Sequence, residues 1–168
     1  MKHSVLKTSW SGIKLVFFIS TFIISISSFA QESKEITLQK AIQSKHYIFK
    51  AQSALPMRGG MRQLTSEYDL KVEGDTLTAY LPYFGRAYIA PIDPGKGGIQ
   101  FTSGENNYNS RIKKNSWEIT ILPKNIQEVR QLFLTIAPNG NARLQVISNN
   151  RDPISFNGYV EAIKNTLN

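Results

Sequence analysis

The chain has 168 residues, 41% of them hydrophobic and 19% charged, a balance that excludes a disordered tail, a collagen or a coiled coil and suits one globular domain. It holds no cysteine and two histidines, so thiol catalysis, disulfides and cysteine-ligated metals are excluded. The formal net charge is +8, but part of it belongs to a segment expected to be removed.

That segment has three parts. Lys2, Lys7 and Lys14 give a basic start without an acidic residue. Leu15 to Ile26 is a mostly apolar run of twelve residues. Ser27-Ser28-Phe29-Ala30 then places small residues at its third-last and last positions. This pattern predicts a secretory signal peptide cleaved after Ala30. A transmembrane helix would need roughly 20 apolar residues, and Ser20, Thr21 and Ser25 interrupt this shorter run. The mature chain is then a single domain over 31–168, with flexible ends at 31–35 and 164–168 and no stable membrane span. It keeps 17 basic and 12 acidic residues, a net +5, and His46 as its one imidazole.

From Thr37 the period is helical. Leu38, Ala41, Ile42 and Lys45 recur at steps of three and four, which predicts a short amphipathic helix over 37–46. Alternation then takes over. Tyr47, Phe49 and Ala51 alternate with polar or outward positions until Pro56, and Met57 to Met61 is a glycine-containing loop. Glu67 to Leu81 predicts a hairpin, because Gly74-Asp75 separates two alternating runs and Gly accepts a positive φ without steric penalty. Pro82 stops the second strand.

Tyr83 to Pro94 is aromatic and irregular, with room for a short strand at Ala87 to Ala90. Gly95-Lys96-Gly97-Gly98 is a loop, and Ile99 to Thr102 is a short strand. Tyr108 to Lys113 and Trp117 to Leu122 predict a hairpin around Lys114-Asn115. Further strands are expected at 129–137, at Ala142 to Val146, and from Ile154 toward Ile163, separated by turns at Pro138 to Asn141 and Asn149 to Pro153. No helical pattern lies between consecutive strands, so no parallel crossover can be built. The predicted fold is α+β and mostly antiparallel β. One N-terminal helix packs on a curved sheet of about eight strands, with barrel-like closure left open.

The string Tyr68-Asp69-Leu70-Lys71-Val72-Glu73-Gly74-Asp75-Thr76-Leu77, followed by Tyr80-Leu81-Pro82-Tyr83-Phe84-Gly85-Arg86-Ala87-Tyr88, resembles the domain of unknown function 4251 family. Gly97-Gly98-Ile99-Gln100-Phe101, Trp117-Glu118-Ile119, and Asn150-Arg151 with Pro153-Ile154-Ser155-Phe156-Asn157-Gly158 extend the resemblance over about residues 36–163. It implies an exported, envelope-facing bacterial domain and brings no catalytic residues with it.

Several constellations invite a chemical reading. Tyr80, Tyr83, Phe84 and Tyr88 surround Arg86, and aromatic faces with one arginine suit a sugar ring, a peptide or an anion. The plainer reading is that these aromatics cap the core while Arg86 pairs with Asp69 or Asp75. Arg151, in the Arg151-Asp152-Pro153 turn, is a second ligand-binding candidate, although such an arginine commonly faces water. His46 lacks a G-x-S-x-G elbow to serve, and a cation at a helix end suits the helix dipole. One imidazole excludes a histidine-rich metal site, and an all-oxygen calcium site stays open although no D-x-D-x-D-G loop marks one, so no metal ligands are assigned. Gly95 to Gly98 lacks the phosphate-loop spacing. Arg111, Lys113 and Lys114 beside Tyr108 and Trp117 resemble a nucleic-acid pattern, but export removes the protein from cytoplasmic nucleic acid, so none is expected as partner.

The expected function is a non-catalytic binding or interaction domain in the periplasm or outside the cell, with no cofactor. Its partner would be an envelope glycan, a lipid-like ligand or an envelope protein. The alternative is a small carboxylate-dependent hydrolase acting on an envelope polymer, although no spacing selects a carboxylate pair.

Overall fold

The computed structural model describes residues 35–88 and 97–163. The predicted signal peptide, most of the leader after it, the second half of the 87–90 strand, Gly95-Lys96 and the 164–168 tail lie outside the described residues. One helix, α1 (35–43), precedes nine strands. These are β1 (His46–Pro56), β2 (Arg62–Glu73), β3 (Thr76–Leu81), β4 (Ile99–Ser103) and β5 (Asn106–Lys113), then β6 (Ser116–Pro123), β7 (Val129–Ile136), β8 (Asn141–Ser148) and β9 (Ile154–Ala162). The mostly antiparallel expectation is borne out: all strands join one sheet in the order β4-β3-β2-β1-β9-β8-β7-β6-β5.

Pairing of β9 with β1 turns this meander back on itself. A ring of alternating strands needs an even number, and the chain meets that condition at one place. Every neighbour in the sheet is antiparallel, so β4 and β5 run in the same sense, and only Gly104 and Glu105 separate them. They are two halves of one kinked strand. The first half pairs with β3 and the second with β6. The result is a nearly closed barrel of eight strand paths. Buried Ser103 fixes the kink, with its hydroxyl 2.6 Å from the Glu105 carbonyl and 2.8 Å from that of Lys124.

Period-two alternation fills the interior. Tyr47 and Phe49 of β1, Leu77 and Leu81 of β3, Ile119 and Ile121 of β6, and Leu134 and Ile136 of β7 are all buried. The helix closes one end of the barrel by burying Leu38, Ala41 and Ile42 in the same core. It is shorter at its C-terminus than its periodicity predicts. Lys45 takes a left-handed φ of 54°, its N–H donating to the Ile42 carbonyl at 3.2 Å, and so ends the helix before His46, which opens β1. The Gly74-Asp75 turn docks there, the Gly74 N–H donating to the Lys45 carbonyl at 2.9 Å. Gly74 alone of the pair has positive φ, the II′ pattern for a two-residue hairpin.

Opposite the helix the barrel end is built from longer links. A bulge at Gln52 shifts the β1 register against both neighbours. Beside it, β9 approaches so closely that a Cβ at Gly158 would overlap the Lys50 carbonyl oxygen. This packing draws the end of β1, the start of β2 and the β8–β9 corner together.

Candidate functional site at the open barrel end

Three segments converge at that end. The β1–β2 link carries Arg58, and Arg62 is the first residue of β2. The chain leaving β3 carries Tyr83 to Tyr88. The β8–β9 corner carries Arg151 and Asp152.

Tyr83 and Phe84 hold the middle segment, because both pack against the core. The Tyr83 hydroxyl sits between the carbonyls of Arg86 (2.9 Å) and Asp152 (3.1 Å). Ala87 forms a β-bridge with Arg151, the Tyr88 N–H donates to the Asn150 carbonyl at 2.8 Å, and the Asp152 N–H donates to the Arg86 carbonyl at 3.1 Å. The Tyr88 hydroxyl donates to Asp152 Oδ1. That bond raises the Tyr88 pKa, and burial raises that of Tyr83, so both phenols stay protonated at neutral pH.

Arg151 is buried, with 8% exposure, and both its Nη groups are engaged within the protein. Nη1 donates to the carbonyls of Gly97 (3.2 Å) and Gly98 (3.1 Å). Nη2 lies 2.8 Å from Glu128 Oε1, an ion pair without hydrogen-bond alignment. The guanidinium also covers the Tyr83 ring at 5.0 Å. Arg151 therefore organises the site from beneath. The Gly97-Gly98 stretch offers carbonyl acceptors to an arginine, which is the reverse of a phosphate cradle.

Above this scaffold lies an open recess of about 270 Å³ lined by Pro56, Arg58, Arg62, Phe84, Arg86 and Asp152, with Gly85. Arg62 stacks over the Phe84 ring at 4.9 Å. Arg58, Arg62 and Arg86 are exposed, and among the described residues no carboxylate pairs with any of them. Among the described residues Asp152 is the recess's only carboxylate, and it is 7% exposed.

Of the sequence-predicted residues, Phe84 and Arg86 line the recess, Tyr83 and Arg151 support it, and Tyr88 holds Asp152. Tyr80 points from the outer face of β3, where it stacks on Tyr68 at 5.5 Å, and lines no part of the recess. Arg58, Arg62 and Asp152 were not among the predicted ligand-binding residues. A pair of arginines flanking Gly59-Gly60 between two strands was the available signal for the first two.

The other singled-out groups lie elsewhere. Arg111 and Lys113 share Glu118, at 2.7 Å and 3.8 Å, on the β5–β6 hairpin. Among the described residues no cluster of His, Asp and Glu could hold a metal ion, and no helix is long and apolar enough to cross a membrane.

A family model, Domain of unknown function (DUF4251), matches residues 30–160. The chain belongs to this family. The crystal structure of a DUF4251 family protein from Bacteroides eggerthii superposes with a TM-score of 0.60 at 16% identity, covering 79% of this chain and 91% of that one. At that identity the likeness establishes the DUF4251 fold alone. No curated protein matches.

Proposed function

We infer that this DUF4251 protein is an exported, envelope-facing binding domain that takes an anionic ligand in the recess at the open barrel end. The observation that carries the reading is Arg58, Arg62 and Arg86 gathered around Phe84 without a described carboxylate partner. Guanidinium groups held together without counter-ions favour an anion, which they can grip bidentately, and the aromatic ring adds apolar contact. Hydrolysis by two carboxylates would require a second acid beside Asp152, and the described residues of the recess lining supply none. Export is supported by the three-part pattern of residues 1–30 and by a family match that begins at residue 30.

A thermal-shift screen of the purified protein against acidic and neutral envelope glycans, lipids and peptides tests the binding. A ligand at a hundred times its Kd adds about 2.7 kcal/mol of stability. Acidic compounds should raise Tm, less so at high salt. Arg62→Ala and Arg86→Ala should remove the shift while leaving the unliganded Tm unchanged. No shift from any anion, or a shift that survives both substitutions, overturns the reading. For export, the protein recovered from cell fractions should begin at Gln31 and be absent from the cytosol; an intact cytosolic chain would refute it.

A further inference from the structure

Asp152 is an unusual neighbour for three arginines. It lines the recess and is more than nine-tenths buried, yet none of the arginines neutralises it at ion-pair distance. Oδ1 accepts the Tyr88 hydroxyl, and among the described residues Oδ2 has no hydrogen-bond or ion-pair partner. Oδ2 is not a sealed, unsatisfied atom, and it keeps acceptor capacity for a donor that a ligand brings.

We propose that the recess takes an acidic sugar, whose anionic substituent lies among Arg58, Arg62 and Arg86 and whose ring hydroxyl donates to Asp152 Oδ2. This rests on the anion-binding reading and narrows it. An anion with no donor would meet the Asp152 carboxylate as a like charge, whereas a neutral sugar would leave the arginines unmatched. The two demands are met together by a molecule that carries an acid and a hydroxyl. The volume agrees. Ligand pockets commonly run to roughly 300–1,000 Å³, so about 270 Å³ admits one ring and little more. Phe84, half-buried at the floor, offers an apolar surface to the ring's C–H face. The recess is open, so neighbouring units of a polymer would extend into solvent.

The test compares Kd values by calorimetry on the unmodified protein for four probes: glucuronic acid, glucose, cyclohexanecarboxylic acid and inorganic phosphate. The inference expects glucuronic acid to bind at least tenfold more tightly than each of the others. Cyclohexanecarboxylic acid or phosphate binding as tightly as glucuronic acid overturns the acidic-sugar proposal and leaves anion binding standing. Glucose binding as tightly overturns both, and so does failure of all four probes.

A variant then places the donor. Asp152→Asn keeps a carbonyl acceptor for Tyr88 and puts an amide N–H at the Oδ2 position that can donate to the ring hydroxyl's oxygen, so glucuronic acid should lose less than about tenfold while cyclohexanecarboxylic acid gains, as the like charge is gone. Unchanged binding of both probes in Asp152→Asn would refute the assigned role of Asp152. A far larger loss for the sugar would refute the hydroxyl contact and point to a cationic donor on the ligand.

Discussion

Arg151 shows how one buried side chain can serve a site it does not reach. Its guanidinium is planar, so one edge can bond the Gly97 and Gly98 carbonyls while the other faces Glu128 and the flat surface lies on Tyr83. Three segments distant in sequence thus share one cation. Removing it strands two carbonyls and a carboxylate that is one-third exposed, so the loss falls below that of a fully buried pair, at about 1–3 kcal/mol. Arg151→Ala should lower the unfolding free energy by that amount, read as a lower urea midpoint with the slope of the transition unaltered. Arg151→Lys should recover only part of the loss, because an ammonium cannot bond on two edges and stack as well. Equal stability of Arg151→Ala and the parent would show that the guanidinium contributes no net stabilisation.

Elements were legible wherever one face is buried. In β6 and β8, and in β7 after the irregularity between Val129 and Gln131, the buried apolar positions alternate, and the predicted strands fall within two residues of the observed ones. The first half of β2 was not visible, because Arg62 to Glu67 lies opposite the β1 bulge and is almost wholly exposed, so no alternation marks it. The recess was half legible for a related reason. Phe84 and Arg86 sit in a conspicuous aromatic run, but nothing local announces that Arg58, Arg62 and Asp152 meet them, since that depends on the β9–β1 pairing and the bulge. Local chemistry does announce the β5–β6 turn, though with the wrong residues for its geometry. Lys114 and Asn115 both have positive φ, at 49° and 60°, the I′ pattern that favours Asn-Gly. An L-residue held there costs roughly 1–2 kcal/mol. Replacing the pair with Asn-Gly should therefore raise stability, by about 1 kcal/mol once the greater freedom of glycine in the unfolded chain is discounted. Denaturation of the double variant at neutral pH gives the measurement, and a loss of stability would mean that the Lys114 side chain contributes more than its backbone strain removes.

At the scale of the whole barrel, the phenols set a limit on alkaline stability. Tyr47 is fully buried, and its hydroxyl meets that of Tyr108 at 3.1 Å beneath the helix-capped end. Burial holds the Tyr47 pKa well above its ordinary value and raises that of Tyr108, although the bond from Tyr47 partly offsets the second shift. Tyr83 and Tyr88 at the opposite end are raised too, by burial and by the bond to Asp152 respectively. In the unfolded chain such groups ionise near pH 10. Below about pH 10 both states hold their phenolic protons and stability is unaffected. Above it the unfolded state releases protons that the folded barrel retains, so stability falls as pH rises, until the folded pKa values are reached. For Tyr47 alone the slope approaches about 1.4 kcal/mol for each pH unit. Denaturant midpoints measured from pH 8 to 12 should be flat up to about pH 10 and decline beyond it. Tyr47→Phe should sacrifice about 1 kcal/mol at neutral pH through the lost hydrogen bond, yet lose stability less steeply in alkali, so that the curves of variant and parent converge. Parallel curves would show that Tyr47 ionises alike in the folded and unfolded chains, which its place inside the closed end does not allow.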